Sequence, residues 1–138
     1  VTLDTGPLED DIEALVKTVI PRVWVSEIPA DVVTPGYPYV ILYFGGPIRS
    51  AADHHITSVR NDTMIGYCTV QVVSETDKSA RDVNNRIRNA LVGHRPPDAG
   101  EMASEGGLAY SRGNNDVKPT KYYRETGYSY RTNLGWNN

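Results

Sequence analysis

Cysteine, histidine and phenylalanine are scarce in this chain of 138 residues, which holds one, three and one of them. A single thiol, Cys68, cannot form a disulfide within the chain, so the fold must rest on its core and its backbone hydrogen bonds. One cysteine and three histidines also fall short of an ordinary structural zinc site, which takes four such ligands at set spacings. No apolar run is long enough to span a bilayer, and none at the N-terminal end has the form of a secretion signal. These absences predict a protein made and kept in a cytoplasm, and they leave the acceptor-like Asn61-Asp62-Thr63 as a chance match. Strong charge of one sign is lacking too. A net charge of −3 argues against a dedicated nucleic-acid binder, whose affinity rests on a basic surface. The charge is uneven, with 11 acids and 5 bases in residues 1–80 against 6 acids and 9 bases in residues 81–138. Opposite ends of this kind suit head-to-tail stacking of copies, and they suit a plain solvated surface as well.

Signatures of catalysis are equally thin. Gly45-Gly46-Pro47 lacks the Gly-Lys-Ser/Thr ending of a phosphate-binding loop, and no Gly-x-Gly-x-x-Gly follows a strand. Ser50 has no glycines placed for a nucleophile elbow. Asp53-His54-His55 matches a triplet used by metal-dependent phosphoesterases. Metal hydrolysis needs further ligands around the ion, and the one other histidine is His94, at the end of a helical segment. An exposed loop pair that touches a partner is the simpler reading of His54 and His55. Arg81, Arg86, Arg88 and Arg95 suggest a basic helix face, but Asp82 interrupts it, and a solvated helix surface accounts for it.

What the chain does have is tyrosine, nine of them against two Trp. A ring with a polar tip suits half-buried positions and surfaces buried on association, and it also favours strands. The spacing of Leu8, Ile12, Leu15, Val16 and Val19 predicts a helix over 7–19, with Thr5 as cap, Pro7 in the first turn and Pro21 as stop. Val23–Ser26 reads as a short strand, and Ile28–Pro38 as a turn-rich linker. Tyr39–Phe44 is the strongest strand, closed by Gly45-Gly46-Pro47. Its Val40/Leu42/Phe44 face is apolar and should meet the helices. Its Tyr39/Ile41/Tyr43 face should lie against another subunit or a loop. Residues 48–62 read as a polar loop or ragged hairpin.

Thr63–Ser74 alternates as a half-buried antiparallel strand, with Cys68, Val70 and Val72 on the core side. A second helix is expected over 77–92, capped by Thr76 or Asp77, with Ala80, Val83, Ile87, Ala90 and Leu91 inward, an Asp82–Arg86 pair, and Gly93 as stop. Residues 95–120 read as a long polar loop with only Leu108-Ala109-Tyr110 strand-like. A final strand region spans Tyr122–Trp136, with a possible break at Gly127. The chain is thus expected to be one domain over 1–138, of the α+β class: a mostly antiparallel β-sheet with two α-helices packed on one face.

Three segments together carry a resemblance: Gly36-Tyr37-Pro38-Tyr39-Val40-Ile41-Leu42-Tyr43; Thr69–Ser74 running into Lys78-Ser79-Ala80-Arg81-Asp82-Val83; and Glu125–Thr132. In element order and residue type the chain resembles the tail terminator (tail completion) proteins of long-tailed bacteriophages. The resemblance implies a virion structural protein without catalysis, metal or cofactor. It implies a ring of six copies at the head-proximal end of the tail, assembled in the host cytoplasm. The implied partners are further copies of itself, the tail tube protein and the head-tail connector protein, with genomic DNA passing through unread and no membrane contact. Tyr39, Ile41, Tyr43, Arg49, His54, His55, Tyr122, Tyr128 and Tyr130 are the residues expected at contacts with copies or partners. Two other readings stay open: a head-completion or stopper protein of the connector, and a small metal-dependent hydrolase or ligand-binding domain built on Asp53-His54-His55.

Overall fold

The computed structural model describes residues 6–32, 36–49, 64–106, 112–114 and 121–132, with the side chains of all but 47–49, 106 and 112–114. Helix α1 spans Gly6–Val19 and buries Leu8, Ile12 and Val16, which recur every four residues on one stripe. Pro7 sits in its first turn, and Lys17 and Glu13 pair at 3.0 Å on its outer face. Helix α2 spans Asp77–Leu91 and buries Ala80, Val83, Asn84, Ile87 and Leu91. Thr76 caps it from an extended conformation, its hydroxyl accepting the Ser79 backbone N–H at 3.1 Å. Gly93, with φ of 86°, turns the chain away from α2 through the left-handed region. Replacing Thr76 by Ala leaves an N–H of the first turn without its acceptor. A loss of about 1 kcal/mol is expected in urea unfolding, with an unchanged slope.

The described strands form one six-stranded sheet. They are β1 (Val23–Val25), β2 (Tyr39–Arg49), β3 (Met64–Ser74), β4 (Ala103–Gly106), β5 (Arg112–Asn114) and β6 (Lys121–Thr132). The order is β1-β2-β3-β6-β4, with β5 also on β6; β1 pairs parallel to β2 and every other pairing is antiparallel. The α+β expectation holds. Both helices supply residues to one core with Val40, Leu42, Cys68, Val70, Val72, Tyr128 and Tyr130, so they lie on the same face of the sheet. The expected Asp82–Arg86 pair is present at 3.2 Å, well exposed, and contributes little to stability.

Three expectations are corrected. Gly45-Gly46-Pro47 does not close β2. The strand bulges between Gly45 and Ile48, with Gly46 at φ of 81°, and pairs with β3 again at Ile48↔Ile65 and Arg49↔Met64. A glycine in the left-handed region absorbs the extra residue without ending the strand. Gly127 does not break β6, which pairs with β3 without interruption from Ser74↔Tyr122 to Met64↔Thr132. Finally, the 95–120 segment is not one loop: β4 and β5 fall inside it, while Leu108-Ala109-Tyr110 lies outside the described residues. Met102, 1% exposed, plugs the core, and its flanks are tied down by Gly93 N–H to Met102 O (2.9 Å) and Met102 N–H to His94 O (2.8 Å). Gly100 N–H donates to Arg131 O (2.8 Å), and the Thr132 hydroxyl to Asp98 O (2.7 Å). One buried side chain and these bonds hold residues 93–102 against the core and the end of β6.

Candidate functional site

Alternation along the strands sends every second residue away from the helices. The register aligns Tyr39, Val73 and Tyr123 in one row of that outer face, Ile41, Gln71 and Glu125 in the next, then Tyr43, Thr69 and Gly127, then Gly45, Tyr67 and Ser129. Among the described residues no helix or strand lies over it. The face divides into two unlike halves.

The half nearer the start of β2 is largely closed. Tyr39 (5% exposed), Ile41 and Val73 form a second small core, with Trp24, Ile28, Tyr37 and Tyr123 packed against it. The linker between β1 and β2 thus folds back over the strand that follows it. Tyr39 meets the edge of Trp24 with ring centroids 5.8 Å apart, and Tyr37 at 5.6 Å. The Lys121 ammonium stands 6.0 Å over the Tyr37 ring. Burial pushes the Tyr39 hydroxyl above its usual pKa, against the pull of the Lys121 charge. Of the two alternatives expected for the Tyr39/Ile41/Tyr43 face, a loop covers Tyr39 and Ile41.

The other half is open. Tyr43 and Tyr67 are 40% and 39% exposed and stand on neighbouring strands, with half-buried Thr69 and Gly127 beside them. A hydrogen bond from Gln71 Nε2 to Glu125 Oε1 (2.9 Å) bridges β3 and β6 at the boundary between the halves. Beyond Tyr67 the same face opens into a cleft of about 260 Å³ lined by Ile65, Ala103, Glu105, Ser129 and Arg131 among others. The Ser129 hydroxyl donates to Glu105 there.

The remaining tyrosines expected at contacts point the other way. Tyr128 (0% exposed) and Tyr130 (5%) are in the main core, and Tyr122 packs against it. Tyr128 and Tyr130 are corrected from contact residues to packing residues, because the pairing of β6 with β3 sets their side of the sheet toward α1 and α2, while Tyr122 on the same side stays half-buried. The Arg49 side chain, and His54 and His55 entirely, lie outside the described residues. Asp53 does too, so the triplet of Asp53-His54-His55 has no geometry to report. Among the described residues no group of three or more His, Cys, Asp or Glu is placed to hold a metal ion. His94 is engaged by Asp11 at 2.6 Å, tying the turn after α2 to α1. Cys68 is fully buried, and burial pushes its thiol up to about 12, with the Glu9 charge adding to the effect. Such a thiol is a core residue and not a nucleophile.

Tyr67 is the surface residue that sequence reasoning passed over. It alternates with Cys68, and the antiparallel Tyr43↔Thr69 pairing is what brings it beside Tyr43. That neighbourhood is set by register between strands, which neither strand's sequence states alone.

No family model and no curated protein matches the sequence. Among solved structures, the chain is similar to one in the virion of native gene transfer agent (GTA) particle, at a TM-score of 0.55 and 12% identity, over 94% of this chain and 94% of that chain. At that identity the likeness is one of fold. It extends over nearly the whole of both chains, so the two-layer arrangement of helices and sheet is shared and not just one supersecondary piece.

Proposed function

We propose that this chain is a structural protein of a phage-like virion, and within that class a tail terminator: a ring of six copies at the head-proximal end of the tail. The observation that carries the reading is the two-layer fold itself, similar over 94% of its length to a chain of a virion particle. The three resembling segments fall on its framework, at β2, at the passage from β3 into α2, and at β6. On this reading the ring ends growth of the tail tube by covering the last tube protein, and offers its other side to the head-tail connector protein. DNA passes through without being read, in keeping with a net charge of −3.

A closed ring needs two different surfaces on each copy, so that one meets the other on its neighbour. The helix layer supplies a pair of opposite sign. α1 carries Glu9, Asp10, Asp11 and Glu13 against Lys17, while α2 exposes Lys78, Arg81, Arg86 and Arg88 against Asp77 and Asp82. Complementary charge of this kind fixes register and discourages wrong pairings more than it adds affinity.

Electron microscopy of particles made without this gene tests the proposal. Overlong, ragged tails beside DNA-filled heads are expected. Tails of normal length beside leaking or tailless heads would move the protein to the head side, as a completion or stopper protein. Normal virions would refute a structural role.

A further inference from the structure

The open half of the sheet face combines projecting aromatic rings with a cleft, and we propose that it is a contact between two copies of this chain, related by a two-fold axis passing beside Tyr67. The strand order makes the patch self-complementary. Tyr43 stands on β2, Tyr67 on β3, and the cleft lies over β6 and β4, with Ser129 and Arg131 from β6, Ile65 from β3, Ala103 and Glu105 from β4, and residues 100–101 just before it. Neighbouring strands are about 4.8 Å apart, so projection and cleft lie roughly 10–12 Å apart across the strands, on either side of β3, and Ser129 and Arg131 lie one and two rows further along them than Tyr43. Turning a second copy by half a turn about an axis that lies in the plane of the face and runs obliquely past Tyr67 therefore places each Tyr43 ring over the partner's cleft. The same operation brings the two Tyr67 rings together at the axis.

Chemistry and size agree with this occupant. Within the cleft Glu105, which accepts from Ser129, and Arg131 carry opposite charges, so two identical faces do not repel. Aromatic side chains entering a pocket at the centre of a contact carry most of the energy of such interfaces. Four strands' width by about seven residues' length gives roughly 450 Å² of flat area, more with side-chain relief, which reaches the lower end of specific interfaces. The pair is therefore a weak, reversible dimer. It stands apart from the ring, because a two-fold contact closes on itself and a ring of six needs a separate head-to-tail surface.

Sedimentation velocity of the full chain, paired with a cysteine probe, tests it. The wild-type chain should dimerise with rising concentration. Tyr67→Asp should weaken that association by at least about 30-fold, the loss expected of a central tyrosine, while Val92→Asp on the helix side should not. Tyr67→Cys introduces an accessible thiol beside the fully buried Cys68, and under mild oxidation it should yield a covalent dimer and no higher ladder. Circular dichroism checks that each variant is folded; if Tyr67→Asp is not, Tyr67→Cys decides. Wild-type chain that stays monomeric to about 1 mM overturns the inference. So does an assembly indifferent to Tyr67→Asp, or a Tyr67→Cys variant that does not cross-link.

Discussion

Gly66→Val should destabilise the protein by about 3 kcal/mol or more, a large share of the roughly 5–15 kcal/mol that holds a domain of this kind together. Gly66 lies directly opposite Tyr130 in the β3–β6 pairing, on the core side of the sheet. A Cβ there would sit 2.4 Å from Tyr130 Cε2 and 2.6 Å from Cζ. The ring has no vacant place to go, because it is 5% exposed and enclosed by the main core. An aromatic laid over a cross-strand glycine is thus the local solution to packing a tyrosine between sheet and helices. Gly45 provides the matched control. It lies in β2 on the outer face, and a Cβ there meets nothing within 4 Å. Gly45→Val should be neutral, or stabilising by a few tenths of a kcal/mol through β-propensity and a less flexible unfolded chain. Urea unfolding of both variants decides the matter; equal losses at the two sites would refute the steric account. A double-mutant cycle sharpens it, since Gly66→Ala should cost far less once Tyr130→Ala has removed the ring.

The elements that were legible in the sequence are those whose own residues decide their conformation. α1 and α2 are written in Leu8, Ile12, Val16 and in Ala80, Val83, Ile87, Leu91, and the Thr76 cap is a local hydrogen bond. Cys68, Val70 and Val72 declare the core side of β3 by alternation. What was not legible depends on partners distant in the chain. Ala103-Ser104-Glu105-Gly106 and Arg112-Gly113-Asn114 have no strand propensity of note; they are strands because β6 offers them an edge. Gly45-Gly46-Pro47 reads as a stop, and only the renewed pairing at Ile48↔Ile65 reveals a bulge. The tyrosines divide along the same line. Tyr43 was legible as an outward residue from its own strand. Which way Tyr128 and Tyr130 face is settled by the register of β6 on β3, and the covering of Tyr39 and Ile41 by how the preceding linker folds back.

Alkaline solution should unfold this protein early, because three acids in or beside one core hold their protons tightly. Burial pushes Cys68, Tyr128 and Tyr130 each up to about 12, from ordinary values of 9.0 for the thiol and 10.0 for the phenols. They adjoin one another: Cys68 is opposite Tyr128 across β3 and β6, and after burial the Cys68 charge is among the causes that raise both phenols. Between the unfolded and folded values the native state binds more protons than the unfolded chain, so stability falls as pH rises. The groups contribute their full stability below about pH 9 and lose it progressively toward about pH 12. Cys68 alone accounts for a loss on the order of 3 kcal/mol by about pH 11. The Tyr128 hydroxyl is buried without a hydrogen-bond partner among the described residues, and the Arg88 charge works against the upward shift of its pKa. Tyr128→Phe therefore discards an unsatisfied polar atom, and it should be neutral or stabilising near neutral pH. Combined with Cys68→Ala, which costs some packing at every pH, it should visibly flatten the fall in urea midpoint between about pH 8 and about pH 11. A wild-type midpoint unchanged over that range, or a double variant that falls as steeply, would mean that these groups reach water before the chain unfolds.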